Sequence, residues 1–299
     1  MDYLFRGLAR DKKIRVLAID AKESVANICK QHATLPLTTV AFARFLLAGA
    51  IMGCLEKDTQ GITMQINSDG PIKSMFMQAS SNGLIRGYVS KNDGDLLLKE
   101  DELSVENVVG KNGILSVTKT IDSEHNFTSD VILMESNITK DIAYYFFTSE
   151  QIPTIIDLQV NLDKDGNVDS AKGYFIQLLT GYDESDVEFL EKLNLPKIDN
   201  LEENVNSMFE DFKKLDQITI KDICDCSKEK FRNGLSTLSN SDLDELAKED
   251  VEVVCQFCQK VYSFSKEEIE ELKRWFWWNV LSAKERCLNK IGTFLLIDK

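Results

Sequence analysis

The sequence predicts an α+β protein: a mostly antiparallel sheet domain with helices at the N-terminus, then a helical linker, then a small C-terminal module. Three observations support this prediction. Turn dipeptides separate β-branched runs in the first half of the chain, and an acidic stretch with helical apolar spacing follows them. Four of the seven cysteines then fall within thirty-five residues near the C-terminus.

The composition is that of a folded chain with an acidic surface. Of its 299 residues, 43% are hydrophobic and 28% are charged, with a formal net charge of −14. Nucleic acids and anionic lipids are bound through basic patches, so this charge argues against nucleic acid and membrane as partners. The N-terminal sequence MDYLFRGLARDKKIRV has no uninterrupted apolar run of the kind that signal peptides have. We therefore expect a cytoplasmic protein.

Residues 1–180 are predicted to form the α+β core domain. Asn82-Gly83, Asn112-Gly113 and Asp165-Gly166 each lie between β-branched or alternating runs. Asn-Gly and Asp-Gly pairs supply the positive φ angles that tight hairpin turns require. We therefore expect three hairpin turns in a mostly antiparallel sheet.

Two helices are predicted to frame this sheet. The first covers Thr38–Leu55, inside an apolar stretch, Leu35–Leu55, that resembles a membrane span in length. Arg44 lies in the middle of that stretch, where insertion into a bilayer would cost roughly 2.5 to 3.5 kcal/mol, so a buried core helix is the better interpretation. The second helix is predicted in SNITKDIAYYFFTSEQ, with Ser136 or Asn137 as its N-cap.

Residues 181–220 are predicted to form an acidic, amphipathic helical linker. They contain eleven acidic residues against four lysines, which is half of the net charge of the chain. Like charges one turn apart destabilise a helix, so its helicity would depend on the apolar stripe packing against a partner surface. The alternative is a solvated helical connector. The apolar positions with helical spacing are Val187, Leu190, Leu193, Ile198, Leu201, Val205, Met208, Phe209, Phe212 and Leu215.

The four clustered cysteines occur as two close pairs in residues 221–272. Cys224 and Cys226 are two residues apart, so an extended chain points both sulfurs to the same face. Cys255 and Cys258 have the spacing of turns that offer two thiolates to one ion. Four soft sulfur ligands with no histidine nearby predict a closed four-cysteine zinc module with no open position for catalysis.

Such a site leaves three functions open. The first is a constitutive protein-interaction module with a purely structural zinc. The second is a thiol oxidoreductase, although QKVYSF after the second pair alternates like a strand, whereas a reactive cysteine usually begins a helix. The third is a redox switch, because each pair is close enough for a local disulfide that would eject the metal. Losing roughly 10 to 16 kcal/mol of zinc binding would then unfold the module.

The chain resembles the redox-regulated molecular chaperones of the heat-shock protein 33 family. The similarity extends up to about Leu272, and its zinc signature is CDCSKEK followed by EVVCQFCQKVYSF, with twenty-eight residues between Cys226 and Cys255. Three segments of the first domain are also similar to the family: TMQINSDGPIKSMFMQASSNGLIRGYV, YYFFTSEQIPT and AKGYFIQLL.

The resemblance implies an ATP-independent holdase and no enzymatic turnover. It implies that the reduced, zinc-bound form is inactive, and that oxidation forms two disulfides, releases Zn²⁺ and unfolds the linker. The implied partners are unfolded or partly folded client proteins and, on activation, a second copy of the chain. The implied sensor is the second cysteine pair together with the linker. The metal ligands when reduced, and the disulfide-forming residues when oxidised, would be Cys224, Cys226, Cys255 and Cys258.

Two features depart from the family pattern. Lys172 stands where the family usually has a glycine, which we expect to alter one tight turn and not the function. Residues 273–299 form an atypical aromatic tail that contains all three tryptophans and Cys287, a spare thiol outside the site.

Three other features are predicted to be structural. Cys29 and Cys54 lie in apolar helical contexts and are expected to be buried. The glycine of DKDGNVD, residues 163–169, is wrongly placed for a calcium loop and indicates a hairpin instead.

Overall fold

The computed structural model describes residues 1–55, 61–121 and 125–272. Their contacts divide the chain into two compact units, Met1–Ile223 and Cys224–Lys299. The acidic segment, residues 181–220, therefore belongs to the first compact unit. The aromatic tail, residues 273–299, lies outside the described residues, and so does Cys287.

The first unit combines helices with antiparallel strands. Its described helices are α1 (Lys22–Gln31), α2 (Pro36–Leu55), α3 (Val105–Val109), α4 (Ile138–Tyr145), α5 (Glu184–Glu191) and α6 (Leu201–Met208). Its described strands are β1 (Tyr3–Ala9), β2 (Ile14–Asp20), β3 (Gly61–Ser68), β4 (Ser74–Ser80), β5 (Leu84–Val89), β6 (Gly113–Thr120), β7 (Asn126–Ile132), β8 (Thr154–Leu162), β9 (Val168–Leu178), β10 (Lys213–Thr219) and β11 (Lys221–Asp222).

These strands form two sheets among the described residues. One sheet has the order β10-β1-β2-β9-β8 and is antiparallel throughout. The other has the order β11-β5-β4-β3-β6-β7, in which only the short β11 runs parallel to its neighbour, β5. Side chains of β3, β4 and β5 alternate between buried and partly exposed positions, as expected of strands that cover a core with one face.

Helix α2 lies at the centre of this unit and contacts strands of both sheets. It is long and apolar enough to cross a membrane, but 83% of its most apolar window is buried inside the protein. The prediction of a buried core helix is therefore confirmed. Its first turn is capped from a distance: the Asp95 carboxylate accepts hydrogen bonds from the backbone N–H groups of Leu37 (2.6 Å) and Thr38 (2.9 Å) and from the Thr38 hydroxyl (2.7 Å).

Two of the three predicted hairpin turns are confirmed. Gly83 joins β4 to β5 with φ +86°, and Gly166 joins β8 to β9 with φ +83°. The second turn is tightened by Asp163, whose carboxylate accepts hydrogen bonds from the backbone N–H groups of Asp165 and Asn167. The run DKDGNVD is thus a hairpin, as predicted.

The hairpin predicted at Asn112-Gly113 is wrong. The preceding residues, Val105–Val109, form α3 because Ser104 caps them: its side chain accepts the backbone N–H of Asn107. The backbone then takes a positive φ of +98° at Gly110, two residues before the predicted turn. The N-cap Ser104 therefore favours a helix over Val105–Val109, although the β-branched composition of this run favours a strand.

The second predicted helix is confirmed, with Asn137 as its cap. The Asn137 side chain accepts the backbone N–H of Lys140 at the start of α4. After Tyr145 the helix widens into a π turn, Phe146–Glu150, and ends at Gln151 in a left-handed conformation.

The acidic segment is helical only in part. Helices α5 and α6 lie where helical spacing predicted them, but Lys213–Thr219 forms β10, antiparallel to β1. Leu215, assigned to the helical stripe, is 61% exposed. The β-branched residues Ile218 and Thr219 favour a strand, and the backbone of β1 would otherwise form an unpaired sheet edge.

The second unit is small and is built around a hairpin. Its described elements are α7 (Lys228–Leu235), α8 (Asn240–Leu246), β12 (Val251–Val254), β13 (Val261–Phe264) and a helix over residues 266–272. Strands β12 and β13 are antiparallel, which confirms the strand predicted in QKVYSF. Its buried hydrophobic residues are Leu243, Cys255, Tyr262, Phe264, Ile269 and Leu272.

We predict that Asp95→Ala destabilises the first unit by about 0.5 to 2 kcal/mol, the usual cost of losing a helix cap. Urea unfolding followed by far-UV circular dichroism measures this free energy. Asp93→Ala is the matched control, because Asp93 is an exposed acidic residue two positions away. Equal stabilities of the two variants would contradict the capping role of Asp95.

Candidate functional site

The four predicted cysteines lie in two short irregular segments of the second unit. Cys224 and Cys226 precede α7, which begins after its N-cap Ser227. Cys255 and Cys258 lie in the turn between β12 and β13. This turn is closed by two backbone hydrogen bonds, from the Cys255 N–H to the Lys260 carbonyl (2.9 Å) and from the Gln259 N–H to the Cys255 carbonyl (2.8 Å).

The structure brings all four sulfur atoms together. They lie within 4.8 Å of one another. Two contacts cross between the pairs: Cys224 Sγ is 3.6 Å from Cys255 Sγ, and Cys226 Sγ is 3.4 Å from Cys258 Sγ. These separations are far beyond the roughly 2.05 Å of a disulfide bond, so the four thiols are in the reduced form.

The sulfur atoms fit the corners of a tetrahedron around a metal ion. Metal–sulfur bonds of about 2.3 Å in tetrahedral zinc sites place neighbouring sulfurs about 3.8 Å apart. The two shortest separations, 3.4 and 3.6 Å, lie close to that value, and all four sulfurs lie within 4.8 Å of one another. Four convergent sulfur donors suit a soft or borderline metal ion and do not suit magnesium or calcium, which prefer oxygen.

Three of the four thiols have pKa values that differ from that of an ordinary cysteine. Burial raises the pKa of Cys226, but hydrogen bonds from the Tyr262 hydroxyl and from the neighbouring thiols outweigh burial and lower it to about 7. Burial raises the pKa of Cys224 to about 12 and also raises that of Cys258. A thiolate is therefore favoured at Cys226 at neutral pH, whereas Cys224 and Cys258 stay protonated unless a metal ion displaces their protons.

The basic residues that follow the first cysteine pair form ion pairs with carboxylates of the second unit. Lys228 forms an ion pair with Glu268 at 2.6 Å, and Lys230 forms one with Asp225. Arg232 lies 3.6 Å from Glu271. These contacts tie α7 to the rest of the unit.

Cys29 and Cys54 do not join the cluster, as predicted. They are only 4% and 1% exposed. Burial raises the pKa of each thiol to about 12, so both stay protonated and unreactive at neutral pH.

A covered apolar surface lies in the first unit and was not identified from the sequence. The acidic segment covers one face of the five-stranded sheet, and Phe212 packs against Phe5 with ring centres 6.0 Å apart. The alternating apolar residues of β1, β2 and β9 were a signal for this face, but their partner was not identifiable from local spacing. The sheet residues covered in this way are Phe5, Ala9, Ile14, Val16, Ala18, Tyr174, Ile176 and Leu178, and the covering residues are Leu190, Ile198, Leu201, Val205 and Phe209.

Polar contacts hold the acidic segment against the turn between β1 and β2. Arg10 Nε donates to Asp186 Oδ1 at 2.8 Å, and the Arg10 guanidinium lies 4.6 Å from the centre of the Phe189 ring. The Asp211 carboxylate accepts the backbone N–H groups of Arg10 (3.0 Å) and Asp11 (3.1 Å). These contacts form where the turn takes left-handed φ angles of 49° at Arg10 and 52° at Asp11.

Lys172 also holds the acidic segment against the sheet. It lies within β9, so the expectation that it alters a tight turn is wrong. Its ammonium donates to the backbone carbonyl of Asp199 at 2.9 Å and lies 3.5 Å from the Asp20 carboxylate. A lysine at this strand position thus reaches the connection between α5 and α6, which a glycine would leave untouched.

The fold and the thiol cluster place the chain in a class of proteins in which an α+β unit with a covered apolar sheet face is followed by a four-cysteine module. The family model described as Hsp33 protein matches residues 2–265. The chain belongs to this family.

Relatives and a solved structure agree with this assignment. The 33 kDa chaperonin of Agathobacter rectalis is 36% identical over 288 residues, which cover 91% of this chain and 99% of the relative. That of Bacillus pumilus is 32% identical over 287 residues, covering 91% and 98%. The crystal structure of the heat shock protein 33 homologue from Thermotoga maritima superposes with a TM-score of 0.83 at 31% identity, covering 92% of this chain and 98% of that one.

We predict that the reduced chain binds one Co²⁺ ion through the four clustered thiols. Thiolate-to-metal charge-transfer absorption should rise until one equivalent is bound. Cys226→Ser should lose much of this absorption and bind more weakly, because one sulfur ligand is replaced by a poorer oxygen donor. Cys29→Ala is the control, and an equal loss in that variant would argue against the cluster as the binding site.

We predict that Asp186 stabilises the docked acidic segment at neutral pH but not in acid. Burial opposes its ionisation, but hydrogen bonds from Arg10, the Asp183 backbone and Lys13 hold its pKa below the ordinary value. Such a carboxylate contributes stability above the unfolded-state pKa of about 3.9, and the contribution is lost as the pH falls through the lower folded value.

Urea unfolding from pH 7 to pH 2.5 tests this. At pH 7 the free energy of unfolding of Asp186→Asn should be about 1.5 to 3 kcal/mol lower than that of the wild type. This difference in free energy should narrow below pH 4. Glu184→Gln, an exposed carboxylate in the same helical turn, should change the stability by a few tenths of a kcal/mol at most. A difference that is constant with pH would rule out the ion pair as its source.

Proposed function

We propose that this member of the chaperone family is an ATP-independent holdase that oxidation switches on. The observation that supports the proposal is the convergence of four reduced thiols within 4.8 Å, next to few other buried side chains in residues 224–272. In this proposal the reduced, metal-bound form is inactive. The oxidised form binds unfolding proteins and prevents their aggregation.

The metal in the proposal is Zn²⁺, held by Cys224, Cys226, Cys255 and Cys258. The donor set and the sulfur separations support a closed tetrahedral ion, which supplies a structural cross-link and leaves no position for a substrate. The proposal therefore includes no enzymatic turnover. It also differs from a thioredoxin-like site, since the second pair lies in a hairpin turn and not at the start of a helix.

The proposed switch is a four-electron oxidation. With hydrogen peroxide as oxidant, two thiolates lose two electrons and form one S–S bond, while the O–O bond breaks and two hydroxide ions form. A second peroxide oxidises the other two thiolates in the same way. Sulfurs paired as disulfides no longer hold the ion.

We propose that each disulfide forms within its own pair, Cys224 with Cys226 and Cys255 with Cys258. The short separation in sequence and the family resemblance support this pairing. The shortest sulfur contacts cross between the pairs, at 3.4 and 3.6 Å. Peptide mapping of the oxidised chain distinguishes the two pairings directly.

Loss of the metal should unfold the second unit. Metal binding contributes roughly 10 to 16 kcal/mol to small zinc modules, whereas whole domains are stable by only about 5 to 15 kcal/mol. Cys224 follows β11 by only two residues, so we propose that unfolding spreads along the chain into β11, β10 and the acidic segment. The segment then acts as the linker that the sequence predicted.

The proposed client-binding surface is the sheet face that the acidic segment covers. When the segment detaches, residues such as Phe5, Ile14 and Ile176 would form a contiguous apolar patch. Such patches bind non-native chains, and the net charge of −14 helps to keep a loaded complex dispersed. The same patch also supports dimerisation of the activated form.

The remaining parts of the proposal follow from charge and chemistry. Unfolded or partly folded proteins are the partners, nucleic acid and membrane are not, and the compartment is the cytoplasm, where thiols stay reduced until an oxidant appears.

Light scattering from a heat-denaturing client enzyme tests the proposed function. We predict that the peroxide-treated chain suppresses aggregation at a near-equimolar ratio, while the reduced, zinc-loaded chain does not. A variant with serine at all four cluster cysteines is the control for non-specific effects of peroxide. Equal behaviour of the reduced and oxidised chains would reject the switch and leave a structural metal in a constitutive interaction module.

A further inference from the structure

The Tyr262 hydroxyl lies directly against the thiol cluster. Its oxygen is 3.1 Å from Cys226 Sγ and also 3.1 Å from the carbonyl oxygen of Cys226. A single phenolic proton thus has two acceptors at the same distance, one of them a sulfur that would bind the metal.

Packing holds this hydroxyl in place. The alternation of β13 turns Tyr262 inwards together with Phe264, and Tyr262 is only 9% exposed. Its ring lies 5.1 Å from that of Phe231, centre to centre, and the Lys260 ammonium lies 5.2 Å from its centre. The ring therefore has little freedom to swing away from Cys226.

Two other sulfurs receive hydrogen bonds from the backbone instead. The Cys226 N–H donates to Cys224 Sγ, and the Lys260 N–H donates to Cys258 Sγ. Backbone donors of this kind persist whatever side chain occupies the position. The hydrogen bond of Tyr262 is different, because it depends on one oxygen atom that a substitution can remove.

We propose that Tyr262 is a positioning residue that, in the zinc-loaded chain where all four sulfurs would be thiolates, protects Cys226 from oxidants, so that another cysteine of the cluster reacts first. The inference rests on the proposed function, since it concerns the order of events within the redox switch. A proton donated to a thiolate stabilises its negative charge and engages one of the lone pairs that attack an oxidant, so the sulfur becomes a weaker nucleophile.

The reaction that Tyr262 would slow is the first attack on peroxide. Cys226 Sγ forms an S–O bond, the O–O bond breaks and hydroxide leaves, which gives a sulfenic acid. A neighbouring thiolate then attacks that sulfur, the S–S bond forms, the S–O bond breaks and a second hydroxide leaves. Once Cys226 is oxidised, its sulfur carries no charge, and the phenol can donate to the Cys226 carbonyl instead.

The test compares the wild type with Tyr262→Phe, both as full-length, reduced, zinc-loaded chains treated with excess peroxide. A chromophoric chelator follows zinc release, and a 1,3-dicarbonyl trap followed by peptide mass spectrometry identifies the first sulfur to become a sulfenic acid. We expect zinc release about three- to tenfold faster in Tyr262→Phe, with trapping moved to Cys226.

Phe231→Leu is the packing control. It keeps the Tyr262 hydroxyl but removes the aromatic partner of the ring, so it should leave Cys226 slow to react. Faster oxidation in Tyr262→Phe that is spread equally over the four cysteines would overturn the inference, because loosened packing affects all of them. Equal rates and equal trapping patterns in Tyr262→Phe and the wild type would overturn it too.

Failure of the proposed function gives a different result. In that case the wild-type chain itself would retain its zinc under peroxide. A wild type that releases zinc, next to a Tyr262→Phe variant with unchanged kinetics, would leave the switch in place and reject only the role of Tyr262.

Discussion

The second unit depends on one constraint: its four cysteine sulfurs must lie close together. Within residues 224–272, the described part of this unit, the buried apolar side chains are few, and Cys255 is itself one of them. The described residues bury little apolar surface for a stable fold, so the proposed metal–thiolate cross-link would supply much of the stability of this unit. In the proposed switch, the stability of the unit would then depend on the oxidation state of these four sulfur atoms. The same cluster of four sulfurs would therefore account both for the stability of the second unit and for its sensitivity to oxidants.

The first unit shows a comparable compromise at its sheet surface. The acidic segment buries apolar side chains against β1, β2 and β9, while nine of its eleven acidic residues are exposed to solvent. Arg10 offsets part of the repulsion among these charges by pairing with Asp186, and Lys172 holds the segment at a second point through the Asp199 carbonyl. The cover is thus fixed by packing and by a few specific cations, and opposed by its own charge. Such a balance is suited to a surface that is needed only under some conditions.

Local signals in the sequence predicted much of this architecture. The Asn-Gly turn at Gly83, the Asp-Gly turn at Gly166, the core helix α2 and the convergent cysteines all follow from patterns within a few residues or from strong pairwise chemistry. The strand β10 did not, because its partner β1 lies about two hundred positions away and no short window contains both. The same distance hid the covered sheet face. Tyr262 was overlooked because its role depends on a contact with Cys226 that spacing cannot reveal.

The pairing of β1 with β10 also sets a limit on biosynthesis. Tyr3 lies opposite Thr219, so the N-terminal strand waits for more than two hundred further residues before its outer edge is satisfied. Contacts of such long sequence separation form late and slowly. Until then a nascent chain presents an open strand edge beside an uncovered apolar face, the combination that favours aggregation. A protein proposed to protect others from aggregation would therefore itself pass through an aggregation-prone stage each time it is made.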